Sequence, residues 1–492
     1  MTPSFFWHDY ETFGIKPQID RPAQFAGVRT DLDLNIIGEA VEYFCQPSDD
    51  FLPDPVSVLI TGITPQMAAQ RGMPEYQFVA RIHAELSAPG TCGVGYNTLR
   101  FDDELSRHLF WRNLYDPYGR EWQNGGSRWD LLDCARAAFA FRPEGINWPS
   151  HEDGRVSFKL EQLTQANGLA HAAAHDALSD VHATIAFARL IKTLQPRLFD
   201  FCFKLRKKDA VAAEIGPLDG HAFLHVSGMY PTAQGCLAAV AAIGAHPVNK
   251  NELPVWDLQH DPAELFDLSA DQIRTRLFAR SADLADGVTR LPVKSIHLNK
   301  SPVVVGVLKA LTAERAEQLQ FDLDLARRHA RQLAGLLVQH GKQLADTLKQ
   351  VYQRDAALPA RDVDAALYDG FLGDADRRRL DPLRALKASE LAGMAVSFDD
   401  KRLHELLFRY RARNWPETLS PAEQARWRIH RAERLIDGAH GGLTLAALSE
   451  SIAGLRQERA DDTAALALLE QVERFASMQC AGLDEQNKMT SE

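Results

Sequence analysis

A chain of 492 residues, 45% hydrophobic and 25% charged, can hold about three domains with ordinary globular cores. It has no run of 18 apolar residues and no basic-then-apolar leader after Met1, so neither a membrane-spanning helix nor an export signal is expected. Cys45, Cys92, Cys134, Cys202, Cys236 and Cys480 follow no C-x-x-C or framework spacing, which points to reduced thiols in the cytoplasm, and the net charge of −11 argues against a uniformly basic surface.

The chain opens on Phe5, Phe6 and Trp7, followed by alternating Asp9 and Glu11, the pattern of a strand end. Val28 to Phe44 predicts a hairpin, with Ala40, Val41, Tyr43 and Phe44 as its return strand. Gln77 to Leu86 predicts a helix. Asp102 precedes LSRHLFWRNL, where a carboxylate is favoured by the helix dipole. Lys159 to Asn167 predicts another helix, closed by Gly168. After His175, the positions Ala177, Val181, Ile185 and Ala188 form an apolar helical stripe, and Pro196 marks a boundary. Residues 1–196 thus alternate strands and helices, as an α/β domain requires.

Between His221 and Val307, AFLHVSGM, LPVWDL, LPVKSIHL and SPVVVGV predict a small antiparallel barrel within a segment 197–350. From Ala310 the pattern is helical, and a helical domain is expected over 355–478, with a frayed DEQNKMTSE tail. Residues 1–196 carry 16 Lys/Arg against 25 Asp/Glu, a net of −9, whereas 197–350 carry 19 against 17, a net of +2. The run Lys204, Arg206, Lys207, Lys208 suits a polyanion, although such a run is equally often a solvated face. No Walker loop is present, so no ATP coupling is implied.

Alone, each acidic segment is ordinary: a D-x-E triplet is most simply a solvated strand end, and His175 a polar loop residue. Together they point to chemistry. Period two puts Asp9 and Glu11 on one strand face, close enough to share an ion. Oxygen ligands without cysteine favour Mg²⁺ or Mn²⁺ over zinc. Four carboxylates, Asp9, Glu11, Asp102 and Asp180, neutralise two divalent cations, and a pair ~3.5–4 Å apart suits phosphodiester hydrolysis. Only one of Asp102 and Asp103 can face such ions, and Asp102 is chosen because it follows Phe101. His175 and Asp180 are five residues apart, about 140° around a helix. His175 therefore belongs on the loop entering the helix, as general base, and Asp180 on the inward face. An unperturbed imidazole pKa near 6.5 suits that role.

The D-x-E, N-x-x-x-F-D and H-x-x-x-x-D segments resemble the DEDDh class of 3′→5′ exonucleases, which implies an RNase H-like fold. HDYETFG, RPAQFAGVRTD, LITGITPQ, GYNTLRFDDE, SRWDLLD, RPEGINWP, HVSGMY and YRARNWPETL resemble the bacterial exonuclease I family, from residue 8 to about 420. That resemblance implies an SH3-like barrel after the nuclease domain, then an all-helical domain. It also implies processive Mg²⁺-dependent digestion of single-stranded DNA from the 3′ end to 5′-mononucleotides, by a monomer acting in repair and recombination. It further implies that Glu11, Lys159, Arg107, Tyr118, Trp122, Arg136, Phe201, Lys208, Asn251 and Lys294 contact the strand. Trp111 and Tyr115, at helical spacing, suit the core better than stacking. At Lys159 a close relative would carry arginine, so the bidentate phosphate fork is lost. Arg142 and Phe201 match the family's lip for the acidic, phenylalanine-ended tail of single-stranded-DNA-binding protein, although a helix cap and a core ring are alternatives. A non-catalytic single-strand-binding module and a 3′→5′ exoribonuclease or proofreading relative stay open as other readings. Retention of all five site residues weighs against the first, and likeness past residue 200 against the second.

Overall fold

The computed structural model describes residues 2–170, 176–353, 361–392 and 394–483. The chain divides into two compact units. The first comprises residues 1–127, 171–182 and 359–492, and the second 128–170 and 183–358. Among the described residues, no helix is long and apolar enough to cross a membrane. The predicted tail from residue 484 lies outside them, as does His175.

In the first unit, β1 (Ser4–Thr12), β2 (Pro22–Thr30), β3 (Val41–Phe44) and β4 (Thr91–Gly95) lie in the order β3-β2-β1-β4. β1 is antiparallel to β2, with Asp9 opposite Ala26 and Glu11 opposite Gln24, and parallel to β4 from Ser4–Thr91 to Trp7–Val94. The predicted hairpin forms, but earlier in the chain than expected. Gln24–Gly27 pairs with Val41–Phe44, while Val28–Thr30 runs on beside β1. Its far turn is set by Asp31, whose Oδ1 accepts from the Asp33 and Asn35 backbone N–H groups. Phe6, Tyr10 and Phe25 bury one sheet face against the helices Glu75–Leu86 and Asp102–Arg112. Trp111 is core, as expected, and Tyr115 packs against the same cluster as Phe25.

The two ends of the chain share this unit. Phe13, Phe44, Phe51 and Val58 are buried with Leu435, Leu448, Ile452, Leu469 and Val472, so the helices Leu445–Glu458 and Thr463–Cys480 complete a core begun just after β1, at the end of β3 and on the helix Pro55–Thr61. An ionic tie accompanies the apolar one. Asp50 and Asp364 are fully buried and receive Arg21, Arg409 and Arg413. Burial alone would raise both carboxyls, but Arg413 foremost, helped by Arg21, holds each well below the usual range. Arg112 likewise outweighs the burial of Glu75 and draws it down to about 2.

The chain leaves the first unit through β5 (Ser127–Asp130). In the second unit, β6 (Phe223–Val226), β7 (Leu237–Ala242), β8 (Glu252–Asp257), β9 (Val293–His297) and β10 (Val303–Val305) form an antiparallel sheet in the order β10-β6-β7-β8-β9. β7 is absent from the sequence expectation. LAAVAA is alanine-rich and shows no alternation because all six residues are buried, and a short apolar run of that kind reads as readily helical. The helix Leu323–Tyr352 spans 30 residues and follows the sheet. The Lys159–Asn167 prediction is met by Leu160–Ala166, with Gly168 left-handed at φ 64°.

Candidate active site

β1 carries two chemistries on its two faces. Even positions feed the core, and odd positions end in Asp9 and Glu11. β4 stops at the level of Trp7, so beyond it that edge of β1 has no strand partner. The Asp102 carboxylate fills the place: Tyr10 N–H donates to Asp102 Oδ1 at 3.1 Å. Asp102 is the first residue of its helix, aimed back at β1, whereas Asp103 is buried in an ion pair with Arg120.

The helix Ala177–Leu194 brings the last carboxylate. Ala177, Val181, Ile185 and Ala188 are all buried, as the stripe predicts. Its start is pinned from β2, where Gln24 Oε1 accepts from Ala177 N–H at 3.4 Å while Gln24 Nε2 donates to Glu42 at 2.7 Å. Asp176 accepts from Ser179 N–H at 3.0 Å and fixes the first turn. Because Gln24 lies opposite Glu11 in the sheet, this anchoring delivers Asp180 to the two strand carboxylates. One oxygen each of Asp9, Glu11 and Asp180 lies within 4.8 Å of the others. Neither Gln24 nor Asp176 stands out in the sequence, since a lone buried amide and a loop acid carry no motif.

The electrostatics are those of crowded like charges. Burial, then Asp102, Glu11 and Asp180, raise the Asp9 carboxyl well above its ordinary range. Burial, then Asp180, Asp102 and Asp176, push Glu11 up to about 8. Such a set costs folding free energy unless cations offset it. An all-oxygen donor set of this density fits hard divalent ions.

Residues 6–188 match the model of an exonuclease domain, 206–354 that of the exonuclease I SH3-like domain, and 361–479 that of the exonuclease I C-terminal domain. Exodeoxyribonuclease I of Escherichia coli K12 is 44% identical over 473 residues, 96% of this chain and 97% of that one. The chain belongs to the exonuclease I family. Its fold is accordingly an exonuclease domain, an SH3-like domain and a helical C-terminal domain, and it is a nuclease. The zinc-bound crystal structure of the E. coli exonuclease I–ssDNA complex matches with a TM-score of 0.90 at 43% identity, covering 97% of this chain and 100% of that one. A crystal structure of SSB/exonuclease I in complex with an inhibitor matches at 0.87 and 42%, with the same coverage.

The other residues this exonuclease I family member was expected to use fall into both units. In the first, Trp122 is 65% exposed and Tyr118 is half-buried. Arg107 is buried, forked onto Glu121 at 2.7 and 2.8 Å and paired with Glu104 at 2.9 Å, and it lies under the Tyr118 ring at 5.2 Å. Its charge is already matched, so its place is behind Tyr118 rather than on the surface. In the second unit Lys159 is exposed at a helix start. Arg136 pairs with Asp133 at 2.6 Å. Lys208 and Asn251 are brought together at 2.7 Å. Lys294 Nζ donates to His225 Nε2 at 2.9 Å and lies over Tyr230 at 4.8 Å. Arg142 ends the helix Leu131–Phe141 and stays exposed, and Phe201 is half-buried. Both line one cavity of about 480 Å³ with Phe141, Gln195, Pro196 and Val305.

Proposed function

We propose that this nuclease is a Mg²⁺-dependent 3′→5′ exodeoxyribonuclease, with Mn²⁺ able to substitute, that digests single-stranded DNA processively to 5′-mononucleotides in repair and recombination. The observation that carries the reading is the clustering of the Asp9, Glu11 and Asp180 carboxylates within 4.8 Å, with Asp102 hydrogen-bonded to the strand between them. Bound there, two divalent ions supply Lewis-acid chemistry at phosphorus. The four carboxylates hold and orient them. His175, on the segment entering the Asp180 helix, is the base that takes the proton of the attacking water. Zinc in the E. coli crystal structure fits a site of general divalent affinity, since zinc outcompetes Mg²⁺ for most ligand sets.

The strand is held by ring stacking on Tyr118 and Trp122 and by Lys159, Arg136, Phe201, Lys208, Asn251 and Lys294, with Arg107 bracing Tyr118. Single-stranded DNA labelled at either end, compared with duplex, tests this directly. With Mg²⁺ a 3′ label should leave first, as a mononucleotide, and a 5′ label should shorten stepwise, with duplex resistant. Cutting that persists in excess EDTA would overturn it.

We further assign the Arg142–Phe201 cavity to the acidic, phenylalanine-ended tail of single-stranded-DNA-binding protein, whose carboxylate suits Arg142 and whose ring suits the apolar wall. The SSB/exonuclease I structure supports this. A labelled tail peptide should bind with micromolar affinity, and Arg142→Ala should weaken it at least about tenfold, or 1.4 kcal/mol, by fluorescence anisotropy. Unchanged affinity would move the dock elsewhere.

A further inference from the structure

β6 runs into a tight turn, Ser227 to Tyr230, that is braced by its own groups. Ser227 Oγ accepts from Met229 N–H at 3.2 Å, and Tyr230 N–H donates to the Ser227 carbonyl at 3.0 Å. Ser227 N–H donates to the Cys236 carbonyl at 2.8 Å, which ties the turn to the residue entering β7. Two cations rest on this segment. Lys294 meets His225 and Tyr230, and Arg136 meets Gly228.

His225 is buried, and its partners fix the role of each ring nitrogen. Nδ1 faces the Val303 carbonyl at 2.9 Å, which can only accept, so Nδ1 carries the proton. Nε2 faces the Lys294 ammonium at 2.9 Å, which can only donate, so Nε2 is the acceptor. Burial, then the Lys294 charge, hold the imidazole well below its usual pKa, and the ring is uncharged. The Tyr230 ring completes the seat, with Lys294 Nζ 4.8 Å from its centroid and the His225 ring edge-on to it at 5.8 Å. Burial raises the Tyr230 hydroxyl, so that ring is uncharged as well. Both contacts therefore fix the direction of the ammonium without cancelling its charge. A carboxylate in the place of His225 would hold the lysine as firmly but leave less field for a phosphate.

Gly228 serves Arg136 by what it lacks. A Cβ at that position would stand 2.7 Å from both Cζ and Nη2 of Arg136 and 3.1 Å from its Nη1. Glycine lets the guanidinium lie against the backbone of the turn, while Asp133 accepts from Nη1 at 2.6 Å. We propose that the segment His225 to Tyr230 is a positioning element, in which His225 sets the Lys294 ammonium and Gly228 admits the Arg136 guanidinium, so that one braced turn fixes both phosphate-gripping cations relative to each other. The proposal rests on the single-stranded-DNA reading above, in which Arg136 and Lys294 contact the strand. It adds two positioning residues that act through them.

Anisotropy titrations of a fluorescein-labelled oligothymidylate over a series of KCl concentrations, in EDTA so that the strand stays whole, test it. His225→Leu should bind about fivefold or more weakly than wild type, with a slope of log affinity against log salt shallower by about 0.7, the share of one phosphate contact. His225→Gln, which keeps an acceptor for Lys294, should stay within about twofold of wild type. Gly228→Ala should weaken binding by about as much as His225→Leu at an unchanged melting temperature, because its methyl displaces only the end of a flexible side chain. His225→Leu should cost nothing further in Lys294→Ala, and Gly228→Ala nothing further in Arg136→Ala. Wild-type affinity and slope in His225→Leu and Gly228→Ala would overturn the proposal. So would losses that persist undiminished in the Lys294 and Arg136 backgrounds, the mark of a merely structural role. Should His225→Leu fail to fold, Gly228→Ala decides. Lys294→Ala and Arg136→Ala that bound like wild type would overturn it by removing the contacts themselves, with the nuclease reading intact. A wild-type chain that bound no strand would instead overturn that reading and the proposal with it.

Discussion

Asp9→Asn is expected to lower turnover at least about 10³-fold, because it replaces an anionic carboxylate ligand by a neutral amide in a set whose members act as a unit. The same change should leave the metal-free protein as stable as wild type or more so. Asp9 is held well above its ordinary pKa by burial and by Asp102, Glu11 and Asp180, so at neutral pH the folded state bears a repulsion that asparagine relieves. Mg²⁺ should raise the melting temperature of wild type and raise that of Asp9→Asn much less. Asp180→Ala should behave alike. His175→Ala should instead lose about 10²–10⁴-fold in rate and keep the Mg²⁺-induced stabilisation, as expected for a base that is not a ligand. Quenched-flow turnover paired with scanning fluorimetry separates these roles. A His175 variant cutting at wild-type rate would remove the general-base assignment.

The second large effect concerns stability. Asp364→Ala should destabilise the first unit by about 3–5 kcal/mol, since Arg413 and Arg409 would be left buried without their shared carboxylate. In a unit of this size that corresponds to a fall in melting temperature of at least about 5 °C. Burial pulls the Asp364 pKa up, but Arg413 and Arg409 outweigh it, so the folded value lies below the unfolded one near 3.9. The carboxylate's contribution is therefore complete above that pH and lost as pH falls through the folded value. The gap between wild type and variant should stay constant from about pH 6 to 8 and narrow only in acid. Melting curves across pH check both magnitude and sign, and a gap that closed toward neutral pH would show that another group dominates.

What could be read ahead of the structure follows from the range of each signal. Asp9 and Glu11 could be placed on one strand face because period two is local, and the Ala177–Ala188 stripe because a helical turn is local. β7 could not, because a strand buried on every side has no alternation to show. Gln24 could not, because its role appears only when Ala177, 153 residues later, arrives at its side chain. The adjacent Phe101 favours Asp102 over Asp103 in the sequence but does not show the physical reason. The reason is Arg120, which occupies Asp103. Arg107 shows the opposite limit: its pairing with Glu104 and Glu121 is local in sequence but carries no motif that would announce it.

The shared core of the first unit has a consequence for how the protein is made. Phe13, Phe44 and Phe51 wait for Leu469 and Val472, more than 400 residues downstream of the earliest of them. A ribosome must release nearly the whole chain before those side chains meet their partners. The N-terminal segment thus spends most of translation with its apolar face uncovered and exposed to chaperones and proteases. A prematurely terminated product would lack the wall of that core as well as Asp364 and Arg413, so stalled synthesis would yield a fragment for degradation rather than a small, unrestrained DNA-cutting enzyme.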